Sequence, residues 1–474
     1  MTLVPLTRAA LALCTGAVST PPVRIVHLGL GAFHRAHQAW YTAQVDDATE
    51  WGIAAFTGRS PEAATQLIRQ DGLFTLIERS GGGDTATLVT SIVEAVDGAD
   101  CARLAELIAS PVVSIVTLTI TEAGYRLTPD ALPNLADAAV TADLARLKVA
   151  FGSGRPLQQL SPDAAPVTAL GRLLLGLEAR RRAQAGPIAV VPCDNMPDNG
   201  RFVATGLVAL ARLVDGATAA WIEATVSFVS TSVDRITPRT TDADLATAGR
   251  LTGWQDNAAV VTEPFTDWVL CGEFPAGRPA WERAGVRFVD DIEPFERRKL
   301  WLLNGAHSLV AYAGLLRGHE TVAAAMSDSV VRGWVNDLWD AAMRHLPTTG
   351  LALEEYRGAL LTRFDNARIE HRLVQISAEG VTKLRVRIAP TLLAEREAGR
   401  DGAAGVRALG SWAAVLLSGR VLVDGDSALI AAALEKPHEH ALSELIALID
   451  PRLAADDAVM AGIRAVIAAS EDDE

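Results

Sequence analysis

No stretch of this chain is both long enough and apolar enough to cross a bilayer, although hydrophobic residues make up 49% of it. Charged residues punctuate every apolar run, so the chain reads as soluble. Cysteine is scarce: Cys14, Cys101, Cys193 and Cys271 stand far apart and form no C-x-x-C pair. That spacing excludes a zinc ribbon and a dithiol redox motif, and free thiols in a reducing cytoplasm are expected. A formal net charge of -14 argues against nucleic acid or an acidic membrane as the main partner and leaves room for a local basic pocket that takes a small anion. Internal repeats and low-complexity segments are missing as well. The pattern GHET at 318–321 is not part of H-E-x-x-H, because Ala323 occupies the fourth place after His319. No metal is expected.

Near the start, TRAALALCTGAV is preceded by only one cation, Arg8, and is followed by no A-x-A site. Leu13 before Cys14 argues against a lipoprotein. The expectation is an amphipathic leader packed on the first domain. At the other end, the acidic tail SEDDE is expected to be solvated and frayed.

With 474 residues the chain is too long for one ordinary core, which predicts two domains. From residue 23 short β-rich runs alternate with amphipathic stretches. Strands are predicted at 23–29, 51–57, 112–119, 187–193 and 224–230, with weaker ones near 73–78 and 285–289. Helical spacing intervenes, as in ALGRLLLGLEARRRAQ at 169–184. Continuous apolar strands separated by helices predict an α/β, mainly parallel, doubly wound sheet. After about residue 290 the strand patterns stop and helical ones dominate, with Pro294 placed to open the first helix. The predicted division is therefore a dinucleotide-binding domain at 1–290 and a mostly α-helical domain at 291–474.

In VRIVHLGLGAFHRAHQAW, Gly29 and Gly31 follow the first strand and precede a helix, with Ala32 and Phe33 completing the turn. Glycine there lets a backbone approach a pyrophosphate at the helix N-terminus. His34 stands where G-x-G-x-x-G has its third glycine, and a plain strand-to-helix turn produces the same pattern. Its place on the first strand of an α/β unit favours the dinucleotide. The second strand ends in FTGRS, without the acid that usually holds a ribose hydroxyl. Arg59 there leaves NADP open beside NAD, or is a solvated loop arginine.

The segment KLWLLNGAH at 299–307 sets Lys299, Asn304 and His307 into an otherwise apolar run. On an ideal α-helix, Glu296, Lys299 and His307 fall within about a quarter turn of one another and Asn304 lies a little to the side. Such a group either lines a cleft or consists of a snorkelling lysine with a satisfied amide and imidazole.

The motifs HLGLGAFHRAHQA, QDGLFTLIER, VTLTITEAGY, CDNMPDNG, SVDRITP, TEPFTDWV and RRKLWLLNGAHS occur in an order that resembles the mannitol dehydrogenase family of long-chain polyol dehydrogenases. The resemblance runs from about residue 23 to about 390. It implies a Rossmann-type domain followed by a helical one, a nicotinamide cofactor and no catalytic metal. By that resemblance Lys299 is the general base that takes the alcohol proton. Lysine ordinarily titrates near ~10.4, so a base of this kind needs a dry or cationic setting. Asn304 and Asn195 are similar to the amides that hold the reacting oxygen. His307 resembles a substrate hydroxyl partner and Asp234 the acid that supports the site. The local alternative for Asp234 is an ion pair with Arg235. Glu122 is placed to relay the proton to water, and Glu296 to contact substrate or orient Lys299; a solvent-exposed helix carboxylate is the alternative for Glu296.

The H-R-x-x-Q-I pattern at 371–376 and Lys383 resemble both the sugar-acid reductases and broader family members. Arg372 or Lys383 would hold a substrate carboxylate, or Arg372 pairs on the surface with Asp365 and Glu370. SAEGVTKLRV at 377–386 departs from the commoner family form, so substrate identity is not carried over. Mannitol with fructose is the favoured pair, with NAD. Mannonate with fructuronate, and mannitol 1-phosphate with fructose 6-phosphate, are the alternatives. A non-catalytic dinucleotide-binding sensor shares the fold, but a pure binder needs no base beside an oxyanion clamp. A monomer in the cytoplasm is expected.

Overall fold

Six short, largely apolar strands build the central sheet of the first unit in a computed structural model that describes residues 3–16, 18–45 and 47–472. The chain divides into two compact units between Ile292 and Glu293. The strands are β1 (Val23–Leu28), β2 (Gly52–Phe56), β3 (Ile92–Val96), β4 (Ile115–Leu118), β5 (Ile188–Pro192) and β6 (Val226–Phe228). They lie in the order β3-β2-β1-β4-β5-β6 and every pairing is parallel. This is the doubly wound order whose switch point lies between β1 and β4.

Alternation along the strands divides their side chains between two cores. Val26, Leu28, Ala54, Phe56, Val116 and Leu118 face one. Ile25, Ile53, Ala55, Ile115, Ala189 and Val191 face the other. Both layers are covered, as a parallel sheet requires.

The edge strand β3 escaped the sequence reading because its five residues, IVEAV, include a half-buried Glu94 that bonds Arg103 at 2.8 Å. Further strands form outside the main sheet. Phe74–Ser80 and Gly83–Val89 make a hairpin joined by Val260–Thr262, while Ser230–Asp234 pairs antiparallel with Asp267–Cys271. The leader forms a helix, Arg8–Thr15, capped by Thr7. Leu11 packs with Leu6 and Leu73, and Arg8 bonds the carbonyls of Asp71 and Thr90. The cysteines are free thiols.

The second unit is helical. Its central helix, Gly305–Leu316, is buried on all sides except at its last residue, as expected of an element surrounded by others. Ala403–Leu417, Ser329–Met343 and Leu373–Ile376 pack around it. Small residues permit the close approach: a Cβ on Gly314 would lie 2.6 Å from Leu373 Cδ1. Residues beyond 400 are therefore part of this unit's core. The helix Asp457–Asp472 packs on Ala403–Leu417 and takes in most of the acidic tail expected to fray; residues 473–474 lie outside the described set. Among the described residues no helix is long and apolar enough to cross a membrane.

Candidate active site

At the end of β1 the chain must turn sharply under β4, and the backbone dictates glycine. Gly29 has φ 109°, and a Cβ there would lie 2.2 Å from the Thr119 carbonyl oxygen. Thr119 Oγ1 also donates to the Gly29 carbonyl at 2.8 Å. Gly31 differs: a Cβ added there would meet only Gly29 O, at 3.6 Å, so the chain itself leaves space above it. That open floor is what close approach of a pyrophosphate needs. Gly31, Ala32 and Phe33 line a cleft of about 490 Å³ together with Thr119, Glu122 and Asn195, within the size range of small-molecule sites. A hollow of about 330 Å³ lies by the end of β2, lined by Gly58, Arg59, Ser60 and Glu62. Arg59 is exposed there.

His34, in place of the third glycine, has a structural reason. Its ring stacks on that of His27 from β1, with centroids 3.4 Å apart and planes 8° apart, so a flat ring fills the helix-to-strand gap that glycine would otherwise close. His27 is fixed by Thr117 Oγ1 at 2.8 Å and Thr119 Oγ1 at 3.0 Å. Burial pushes its imidazole down to about 3, and burial beside His27 holds His34 well below the ordinary value. The following turn, Arg35–Ala39, is a π-helix. Arg35 tucks back to donate to the Gly31 carbonyl at 3.2 Å, a support for the loop that the sequence reading missed.

Asn195 and Glu122 are exposed on neighbouring turns after β5 and β4. Between them lies a pair that was also missed: the buried Tyr125 donates its hydroxyl to Oδ2 of the half-buried Asp194 at 2.5 Å. Asp234 ends the strand Ser230–Asp234 and is 7% exposed. The adjacent Arg235 points elsewhere. It bonds Glu78 and the Ala36 and Glu263 carbonyls and lies over the Trp40 ring, so the alternative of an Asp234–Arg235 ion pair does not form.

In the helical unit the run 299–307 is not a plain α-helix. Glu293–Arg298 is α-helical, Lys299–Asn304 is a π-turn, and Gly305 resumes the α-helix after donating its N–H to Leu300 O. In an α-helix residues five apart project roughly 140° apart. The i→i+5 closure widens each turn by one residue and brings Asn304 toward the column of Lys299. Carbonyls loosened by this winding have partners. Trp339 Nε1 donates to Leu302 O at 2.8 Å, and Ser308 Oγ and Arg387 Nη1 donate to Asn304 O at 3.2 and 3.3 Å. Lys299, Asn304 and Glu296 are half-buried.

His307 is buried against Phe364, with ring centroids 4.8 Å apart, and edge-on to His371 at 4.9 Å. Its Nε2 is buried without a hydrogen-bond partner. Burial first, then His371, Arg363, Arg387 and Lys383, hold the ring well below its ordinary value and keep it neutral. Lys383 donates to Ile376 O at 2.9 Å, and burial lowers it. Burial likewise lowers Arg387 to about 10. Neither cation has a carboxylate partner within 4.0 Å among the described residues. Arg387 lies four residues after Lys383 on one helix, a spacing that could have revealed it. Arg372 stands apart from this group, with a side chain 58% exposed and 3.9 Å from Glu370.

Two family models match: the mannitol dehydrogenase Rossmann domain over residues 23–283 and the mannitol dehydrogenase C-terminal domain over 291–415. The uncharacterized oxidoreductase YeiQ of Escherichia coli is 36% identical over 369 residues, 76% of this chain and 72% of the relative. The D-mannonate oxidoreductase of the same organism is 35% identical over 376 residues, 77% and 74% of the two chains. Among solved structures, the Pseudomonas fluorescens mannitol 2-dehydrogenase ternary complex with NAD and D-mannitol superposes with a TM-score of 0.77 at 30% identity. That match covers 100% of this chain and 95% of the other. With both domains matched and in this order, the chain belongs to the mannitol dehydrogenase family of oxidoreductases.

Proposed function

We propose that this protein interconverts a linear polyol and its 2-ketose, with NAD as hydride acceptor and Lys299 as general base, and that mannitol and fructose are the pair. The observation that carries the reading is the π-turn, which brings Asn304 toward the column of Lys299 three residues before His307, whose buried Nε2 has no hydrogen-bond partner. In the oxidation, Lys299 Nζ takes the hydroxyl proton as the carbinol carbon loses hydride. NAD, when bound, supplies the nicotinamide that accepts that hydride. Asn195 and Asn304 donate amide N–H groups to the alkoxide-like oxygen without exchanging a proton. His307 Nε2 meets a further substrate hydroxyl, Asp234 supports the site, and Glu122 passes the Lys299 proton to water. Gly29, Gly31, Ala32 and Phe33 form the floor for the pyrophosphate, and Arg59 meets the adenosine end. The Pseudomonas fluorescens relative, solved with NAD and D-mannitol, supports this reading.

One observation favours a second substrate. Lys383 and Arg387 are cations without a carboxylate partner near His307, and an acid-terminated chain such as mannonate would satisfy them. Nicotinamide reduction by the purified protein, assayed with mannitol, sorbitol, arabinitol, mannonate and mannitol 1-phosphate and with NAD or NADP, tests both. Turnover of mannitol with NAD is the expected result. Turnover confined to mannonate would replace the neutral polyol with the acid. Full activity in Lys299→Ala would overturn the base assignment.

A further inference from the structure

The turns that carry Glu122 and Asn195 leave the sheet side by side, because Leu118 of β4 and Pro192 of β5 are register partners. The Cys193 N–H donates to Leu118 O at 2.7 Å and sets their starting points. Beyond that point each turn follows its own course. Glu122 opens a single helical turn, Glu122–Tyr125, whose last side chain swings back into the protein. Tyr125 is 2% exposed, sits edge-on to Phe202 and donates to Asp194 at 2.5 Å. Asp194 in turn accepts from the Met196 N–H at 3.1 Å and from Asn199 Nδ2 at 3.3 Å. Its carboxylate thus holds both sides of Asn195, the residue between Asp194 and Met196. Asp194 forms no ion pair among the described residues, so hydrogen bonds alone satisfy it, and the short one from Tyr125 is the link to the Glu122 turn.

We propose that Tyr125 and Asp194 form a latch that fixes the Asn195 turn against the Glu122 turn, which makes both of them positioning residues for hydride transfer. The inference rests on the reading in which Asn195 holds the reacting oxygen. Carboxylates placed this way commonly orient a loop whose exposed neighbour does the chemistry, and an amide donor must sit within a few tenths of an ångström of its target to be useful. Tyr125 lies outside the cleft that Asp194 and Asn195 line together with the glycine floor. Loss of the latch should therefore slow turnover while leaving binding in place.

The test compares Tyr125→Phe, Asp194→Asn and Asp194→Ala with the parent protein, using kcat, KM for the polyol and NAD affinity from quenching of protein fluorescence. Phenylalanine keeps the ring against Phe202, and asparagine keeps an oxygen that accepts from Tyr125. The expected result is a kcat about tenfold lower for Tyr125→Phe, with KM and NAD affinity within about threefold of the parent. Asp194→Asn should recover much of that rate, and Tyr125→Phe combined with Asp194→Ala should be no slower than Asp194→Ala alone. Parent-like kcat in Tyr125→Phe overturns the latch, as does a loss of NAD affinity that matches the loss of rate. Asn195→Ala is assayed alongside. If it turns over at the parent rate, the role of Asn195 fails and the latch with it; if it is slow while Tyr125→Phe is not, the latch alone fails.

Discussion

Trp339 donates its indole N–H to the carbonyl oxygen of Leu302 across 2.8 Å, inside the π-turn that begins at Lys299. Both residues are buried, and the bond ties Ser329–Met343 to the widened turn. Trp339→Phe keeps most of the apolar volume and removes that buried bond, at a cost of about 0.5–1.5 kcal/mol. A lower thermal midpoint together with a reduced kcat is expected, because the turn that holds Lys299 and Asn304 loses its brace. Calorimetry and steady-state kinetics on the same preparation check it.

Lys299→Ala removes the proposed proton acceptor without touching the glycine turn. A fall in kcat of about 10²–10⁴ is expected, with NAD affinity unchanged. Fluorescence titration of NAD against the inactive variant separates loss of chemistry from loss of fold.

The two glycines of the turn should respond differently to alanine. Gly29→Ala places a methyl group 2.2 Å from a backbone oxygen at φ 109°, so it should destabilise the first unit and abolish NAD binding together. Gly31→Ala meets nothing closer than 3.6 Å and should fold normally. Its methyl stands in the cleft floor, and NAD affinity should fall at least tenfold. Equal thermal midpoints for the two variants would contradict the contrast.

How far this was legible beforehand is clearest at particular residues. Five of the six central strands, the helix at 169–184 and the glycine turn follow from apolar runs and turn chemistry that act locally. Strand β3 did not, since an edge strand is specified by pairing with β2 rather than by its own five residues. The π-turn was invisible because Lys299–Asn304 has ordinary helical composition; its extra residue is held by Trp339 and Arg387 from distant sequence. Tyr125 and Asp194 lie 69 positions apart, and nothing in either segment announces the other.

His27, His34 and His307 are buried and neutral, and this sets a direction for stability against pH. In the unfolded chain each takes up a proton near ~6.5. In the folded protein burial delays that uptake to about 3 for His27 and well below the ordinary value for His34 and His307. The unfolded state therefore binds more protons over this window, and stability falls as pH drops from about 6.5 toward 3. Urea midpoints measured at pH 7 and pH 5 should differ in favour of pH 7. His27→Gln, which cannot take up a proton in either state, should show a smaller difference.

A π-turn within an α-helix is the local equivalent of one surplus residue. Removing one residue between Lys299 and Asn304 would let the segment relax into a continuous α-helix with every backbone bond in regular register, and such a chain would be the better helix former. Asn304 would then stand four residues after Lys299 and about 40° from it, whereas the full-length run wound as a plain α-helix would set the two about 140° apart. The widened turn therefore absorbs the surplus residue, and the regularity given up at Lys299–Asn304 is what keeps the amide side chain near the column of the lysine.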